Sequence, residues 1–311
     1  MEAPSHPAFG PMPSDLPKWQ NIFLVGLLLW ILSVVVTGAT GNVNMVPTVV
    51  LLGSFLVPVT AVVWYLDHYE SPELTLRLVV YTFIVGGVLG TLAASVLESW
   101  LRTESFLGYA GVGLIEEFAK LAALMFVARR LPYHNVRDGI VLGATVGFGF
   151  GALESSGYAL TSLITIRGPE VSLSLGNLVF TELLRGVLAP VGHGLWTAIL
   201  GGVLFGASGG GRLRLTRKAF GAYLLVALLH TLWDAMRGLA SVLTAVVTAT
   251  PAQRIAILEG EALPPTMKQA EIFLVIEVGG LVLISLVGLL VLWRLWHTPD
   301  LSTRGRLGDR N

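Results

Sequence analysis

The chain has 311 residues, 54% of them hydrophobic and only 13% charged, with no formal net charge and a mean hydropathy of +0.74. Soluble domains carry roughly 25% charged residues, so this composition excludes an ordinary water-soluble domain, and the charge balance offers no footprint for a nucleic-acid partner. The absence of cysteine excludes disulfides, thiolate zinc sites, iron–sulfur clusters and a cysteine nucleophile.

The first twenty residues are polar and Pro-rich, with Lys18 as the only strong cation. That is a poor n-region for a cleaved signal peptide, so the first apolar run is read as a retained membrane helix. Apolar runs of spanning length follow at 21–39, 47–66, 75–97, 106–128, 138–164, 177–206, 218–240 and 271–296. The expectation is an all-α polytopic membrane bundle of about eight transmembrane helices. A single domain, 21–296, would lie in the lipid bilayer between a cytoplasmic segment 1–20 and a cytoplasmic tail 297–311. Residues 241–249 either extend the seventh helix or form a separate interfacial piece.

Flanking cations orient the bundle. With both termini inside, the inner ends carry Lys18, Arg77, Arg129, Arg130, Arg137, Arg212, Arg214, Arg217, Lys218, Arg294, Arg304, Arg306 and Arg310, and the outer ends only Arg102, Arg167, Arg254 and Lys268. This bias supports an even number of spans. Glycines such as Gly143, Gly147, Gly201 and Gly202 in the fifth and sixth runs are expected to let helices approach closely.

Within these runs sit ionisable groups that a bilayer tolerates only at a protein interior or a wet cavity. Glu116, Glu117 and Lys120 share the fourth run, Glu154 the fifth, His193 the sixth, and His230 and Asp234 the seventh. Measured from the inner helix ends, they lie roughly 18–24 Å deep at about 1.5 Å per residue, so they form one layer across four consecutive helices. Lys120 is four residues from Glu116 and three from Glu117 and can pair with either. Adjacent carboxylates point about 100° apart, which leaves the other free to face a cavity as a base. His230 and Asp234 share one helical face, which suits a carboxylate orienting an imidazole or two ligands of one metal. His193 lies between two glycines and follows Pro190, whose missing N–H loosens the helix. Glu182 and Arg185, three apart, read most simply as a structural ion pair. Gly206-Ala207-Ser208-Gly209 imitates a serine-protease pattern but reads as a flexible turn before a basic loop.

Four blocks carry a resemblance: Glu116-Glu117-Phe118-Ala119-Lys120, Phe150-Gly151-Ala152-Leu153-Glu154, His193-Gly194-Leu195-Trp196-Thr197, and His230 with Asp234. In this order they resemble the signature blocks of the PrsW-type intramembrane proteases, whose superfamily includes the CAAX prenyl endopeptidases. The likeness covers about residues 105–240, taken as the catalytic core. Lys120 stands one position before the Arg of the CAAX-type Glu-Glu-x-x-x-Arg block, and Glu154 replaces the His of its Phe-x-x-x-His block. Both departures favour the PrsW branch.

The resemblance implies cleavage of a single-span, membrane-anchored protein, in the best-known role an anti-sigma factor, at the plasma membrane of a prokaryote. It also implies catalytic roles for Glu116, Glu117, Lys120, Glu154, His193, His230 and Asp234. One of Glu116 and Glu117 would act as general base, His193 and His230 would contact the water or the oxyanion, and Asp234 would orient His230. The family is commonly described as metalloproteases, so His193 and His230 with Glu154 or Asp234 would form a Zn2+ site, while a metal-free, glutamate-activated water stays open. The alternative from another class is a proton- or ion-coupled transporter using the same groups as a relay.

Overall fold

The computed structural model describes residues 17–101, 105–129, 131, 134–167, 170–208, 212–261 and 263–298. Most of the expected N-terminal segment, the tail from residue 299 and Gly209 lie outside the described residues.

Helix starts are written in the sequence as Ser, Thr and Asn caps, which satisfy amide groups that have no intrahelical partner. Thr75 opens α3 (Leu76–Ile84), Ser105 opens α5 (Phe106–Ala128), and Asn135 opens α6 (Val136–Leu163). Ser174 opens α7 (Leu175–Leu188) and Thr216 opens α9 (Arg217–Thr248). Before them come α1 (Trp19–Thr40), closed by Gly41 at φ 64°, and α2 (Val46–His68). The remaining helices are α4 (Gly90–Glu98), α8 (His193–Ser208), α10 (Pro251–Leu258) and α11 (Met267–Trp296).

Among the described residues seven helices, three of them joined from consecutive pieces, are long and apolar enough to cross a membrane. The remaining expected span, the fourth, is α5, which has 23 residues and carries Glu116, Glu117 and Lys120 in its middle. Its burial against α9 and α4 removes those charges from lipid. Apolar side chains that a soluble protein would hide, such as Leu28 on α1 and Leu283 on α11, are exposed and match a lipid environment.

One expected span changes its helical pitch and another is broken. Between α3 and α4 a π-helical stretch, Val85–Leu89, fits Gly86 and Gly87 against the backbone of α6. Between α7 and α8, Pro190 sits in a 3-10 turn, Ala189–Val191, and α8 begins at His193. The missing proline N–H and the helix break coincide, as the sequence predicts. Residues 241–248 continue α9. A short antiparallel hairpin, β1 (Ile164–Arg167) and β2 (Glu170–Leu173), and α10 are additions that hydropathy does not signal.

The central element is α6, which packs on α8, α2, α7 and the π-helical stretch. Gly139, Gly143 and Gly147, spaced at four residues, face the carbonyls of Gly201, Thr197 and His193, and a Cβ at any of them would collide with that oxygen. This close approach sets the start of α8, and therefore His193, directly against α6. Ser208 is the last residue of α8 and is buried, its Oγ donating to Leu204 O at 2.8 Å and accepting from Arg214 N at 3.1 Å. The flexible-turn reading of Gly206 to Ser208 is corrected: helical packing extends over all three.

Candidate active site

The middle of α5 places Lys120 at the centre of a buried cluster. Its ammonium donates to Glu116 Oε2 at 3.1 Å, Glu117 Oε1 at 2.9 Å and His193 Nδ1 at 2.8 Å. An ammonium has three N–H groups and no acceptor, so all three are used; the Phe150 ring closes the remaining side, with its centroid 4.1 Å from Nζ. Because His193 accepts at Nδ1, its Nε2 carries the hydrogen given to Glu154 Oε2 at 2.7 Å. Arg185 from α7 also binds Glu154 Oε2, at 2.5 Å, and its Nε donates to Ser155 Oγ at 2.7 Å.

His230 on α9 faces α5. Its Nδ1 lies 3.0 Å from Glu117 Oε1, while Nε2 lies 3.7 Å from Glu116 Oε2 and 3.4 Å from Asp234 Oδ2. Trp196 covers the imidazole, ring centroids 4.6 Å apart and planes inclined by 31°. All seven residues singled out from sequence thus meet in one cluster spanning α5, α6, α8 and α9.

Some expected pairings are corrected. The residue held against His230 Nδ1 is Glu117, reached across the helix interface, and Asp234 makes only a longer contact to Nε2. Arg185 does not pair with Glu182; it binds Glu154, because α7 turns that face toward α6. Glu182 instead accepts from Trp30 Nε1 at 2.7 Å. Spacing pairs Arg185 with Glu182 and gives no sign of its place beside Glu154. Trp196 was visible inside the His193 block without a role.

The two adjacent glutamates face different surroundings. A cavity of about 710 Å³ lies between α4, α5, α6 and α9, lined by Glu98, Tyr109, Glu116, Glu154, Tyr158 and Asp234 among others. Glu117 and Lys120 are fully buried behind that wall. Glu117 Oε2 has no hydrogen-bond partner among the described residues. A narrower pocket of about 100 Å³ touches the other side of Glu154, His193 and Asp234, enough for a few waters at ~30 Å³ each.

One oxygen of Glu116 and one nitrogen each of His193 and His230 lie within 4.8 Å of one another. Two imidazoles and a carboxylate are a fitting donor set for a three-ligand catalytic zinc. Glu154 and Asp234, the alternative third ligands expected from sequence, are outside this group: Glu154 is directed at His193 Nε2 and Arg185, and Asp234 Oδ2 lies 3.4 Å from His230 Nε2. Lys120 donates to Glu116 Oε2 and His193 Nδ1, so a metal and the ammonium compete for the same lone pairs.

A bundle of membrane helices whose acid–base groups converge on one cavity fits the class of membrane-embedded enzymes that work on bonds within or beside the bilayer. Residues 74–257 match the PrsW family intramembrane metalloprotease. A protein named Protease PrsW from Halalkalibacterium halodurans is 28% identical over 200 residues, covering 60% of this chain and 82% of that one. No solved structure matches the chain. The chain belongs to the PrsW family of intramembrane metalloproteases and is a membrane protease.

Proposed function

We propose that this chain hydrolyses a peptide bond of a single-span membrane protein, of the kind represented by anti-sigma factors, in a prokaryotic plasma membrane, and that Glu116 is the carboxylate at the attacking water. The observation that carries this reading is that Glu116 lines the catalytic cavity while Glu117 lies behind it. Hydrolysis forms a bond from water oxygen to the carbonyl carbon, breaks the C–N bond, and delivers a proton to the departing amine. Glu116 takes the proton from water.

His230 has a carboxylate facing each ring nitrogen, so it can hold a proton at Nε2 and pass it to the amine beside Asp234. Glu117 orients that ring. The start of α8 at His193 brings the positive end of a helix dipole to the cluster, where it favours the developing oxyanion. Lys120 keeps both glutamates and His193 in register, and Arg185 does the same for Glu154. Zinc, when bound, would be held by Glu116, His193 and His230 and would supply Lewis-acid polarisation and a more acidic water; with His230 Nε2 taken up as a ligand, the proton route through that nitrogen belongs to the metal-free site alone.

The test is purified protein in proteoliposomes with a single-span reporter. Wild type should cut it, and Glu116→Gln, His193→Ala and His230→Ala should each lose at least about a hundredfold in rate. Retained cleavage in all three variants refutes the siting. Solute-driven proton movement with an intact reporter favours the transporter instead. Metal analysis of the same preparation, with and without chelator, decides whether zinc participates.

A further inference from the structure

A second cavity, about 690 Å³, lies beyond the catalytic one and is bounded by the end of α9, by α10 and by the start of α11. The two cavities share a wall residue: Tyr109, near the start of α5, lines both. Along α9 they are also consecutive, since Asp234 lines the first and Arg237, three residues on, the second. The 32 residues of α9 measure ~48 Å against ~30 Å of hydrocarbon. Its last turns and α10 therefore reach the interface on the side opposite the basic segment Arg212 to Lys218.

The roof is built rigidly. Thr250 with Gln253 and Thr266 with Gln269 each form a reciprocal capping box. The two glutamines also bond each other, at 3.1 and 2.9 Å, and Gln269 Nε2 donates to Thr248 O at 3.1 Å. Such a frame holds α10 over the cavity at little entropic cost on binding.

Inside, Thr244 is 7% exposed, and its hydroxyl is buried without a hydrogen-bond partner among the described residues. The same lining holds Arg237, Ser241 and Glu261, with Phe273 among its apolar residues. One cation, one carboxylate and the hydroxyls do not make the cationic cluster that an anionic headgroup needs. They do match an extended peptide, which presents a donor and an acceptor at every residue.

Resting on the proteolytic reading above, we propose that this cavity is a second substrate-binding site, which takes the extended segment flanking the substrate's span and feeds the chain past Tyr109 to the catalytic cavity.

Two reporters in proteoliposomes test this, one with that flanking segment and one without it. Ala245→Trp, which fills the cavity, should raise KM for the long reporter about tenfold with kcat nearly constant. Val246→Trp, one residue on at a position 66% exposed, should leave KM unchanged. Filling the cavity and shortening the substrate act on one interaction, so their losses should not add. Thr244→Val should raise KM about two- to tenfold without lowering the melting temperature; a merely unsatisfied hydroxyl would give higher stability and the same KM. A photo-crosslinker at Ser241 in Glu116→Gln protein should label the flanking segment. Fully additive losses, or crosslinks to lipid or to a second copy alone, overturn the inference while wild type still cuts both reporters. A wild type that cuts neither reporter overturns the proteolytic reading and this inference with it.

Discussion

Glu116 and Glu117 are the same side chain one peptide apart, and their surroundings separate their roles. Glu117→Gln leaves Lys120 and His230 short of a buried carboxylate, a loss that typically costs about 3–5 kcal/mol when one partner of a buried pair is removed. It should therefore lower the melting temperature as well as activity. Glu116→Gln, at the cavity wall, should cost activity with a smaller loss of stability. Thermal unfolding in detergent beside a cleavage assay separates the two; an equal drop in melting temperature removes the distinction. Lys120 allows a second test. Lys120→Met frees Glu116 Oε2 and His193 Nδ1 but strands two carboxylates. Metal-free protein should be destabilised, and zinc should restore its melting temperature and bind more tightly than to wild type, read by calorimetry. No stabilisation by zinc in Lys120→Met would mean that the ammonium and a metal do not share those atoms.

At the scale of elements, the position of His193 depends on how closely α8 lies against α6. A methyl group at Gly147 meets the carbonyl of His193, so Gly147→Ala should shift the start of α8 and reduce cleavage about ten- to a hundredfold, since ~1 Å of misplacement at a reacting group can cost that much. Gly221→Ala, where an added Cβ has open space, should be neutral or stabilising by up to ~1 kcal/mol from helix propensity. Equal activity in the two variants would show that the close contact does not position the site. These elements also show what sequence can carry. Apolar length located the seven helices that are long and apolar enough to cross a membrane, and a common depth for Glu117, Glu154, His193 and His230 anticipated their meeting, because both depend on rise per residue. Partner choice depends on rotation between helices, which spacing does not encode. Hence Arg185 read as the neighbour of Glu182 yet meets Glu154, and the grouping of Glu116 with both histidines was not visible. The hairpin and α10 escaped for a different reason: short polar-flanked pieces carry neither spanning length nor a full amphipathic period.

For the whole molecule, the proposals place the catalytic cavity and the cavity under α10 toward one side of the membrane and the basic loop before α9 on the other. The cation bias predicts that the basic side is cytoplasmic. A chain without cysteine makes the test direct, because any introduced thiol is the sole target of a labelling reagent within this protein. Leu215→Cys, exposed beside Arg214 and Arg217, and Glu261→Cys, at the second cavity, mark the two ends of α9. With intact cells, a membrane-impermeant maleimide should label Glu261→Cys, and Leu215→Cys should react only after permeabilisation. The reversed pattern would put the catalytic cavity on the cytoplasmic side and require the substrate segment to be cytoplasmic. Labelling of the catalytically silent double variant Glu116→Gln/Glu261→Cys should also fall when it is co-expressed with the long reporter, because the flanking segment would then cover that thiol. Loss of labelling with the long reporter but not the short one would join orientation and substrate path in a single measurement, independent of whether zinc takes part in the hydrolysis.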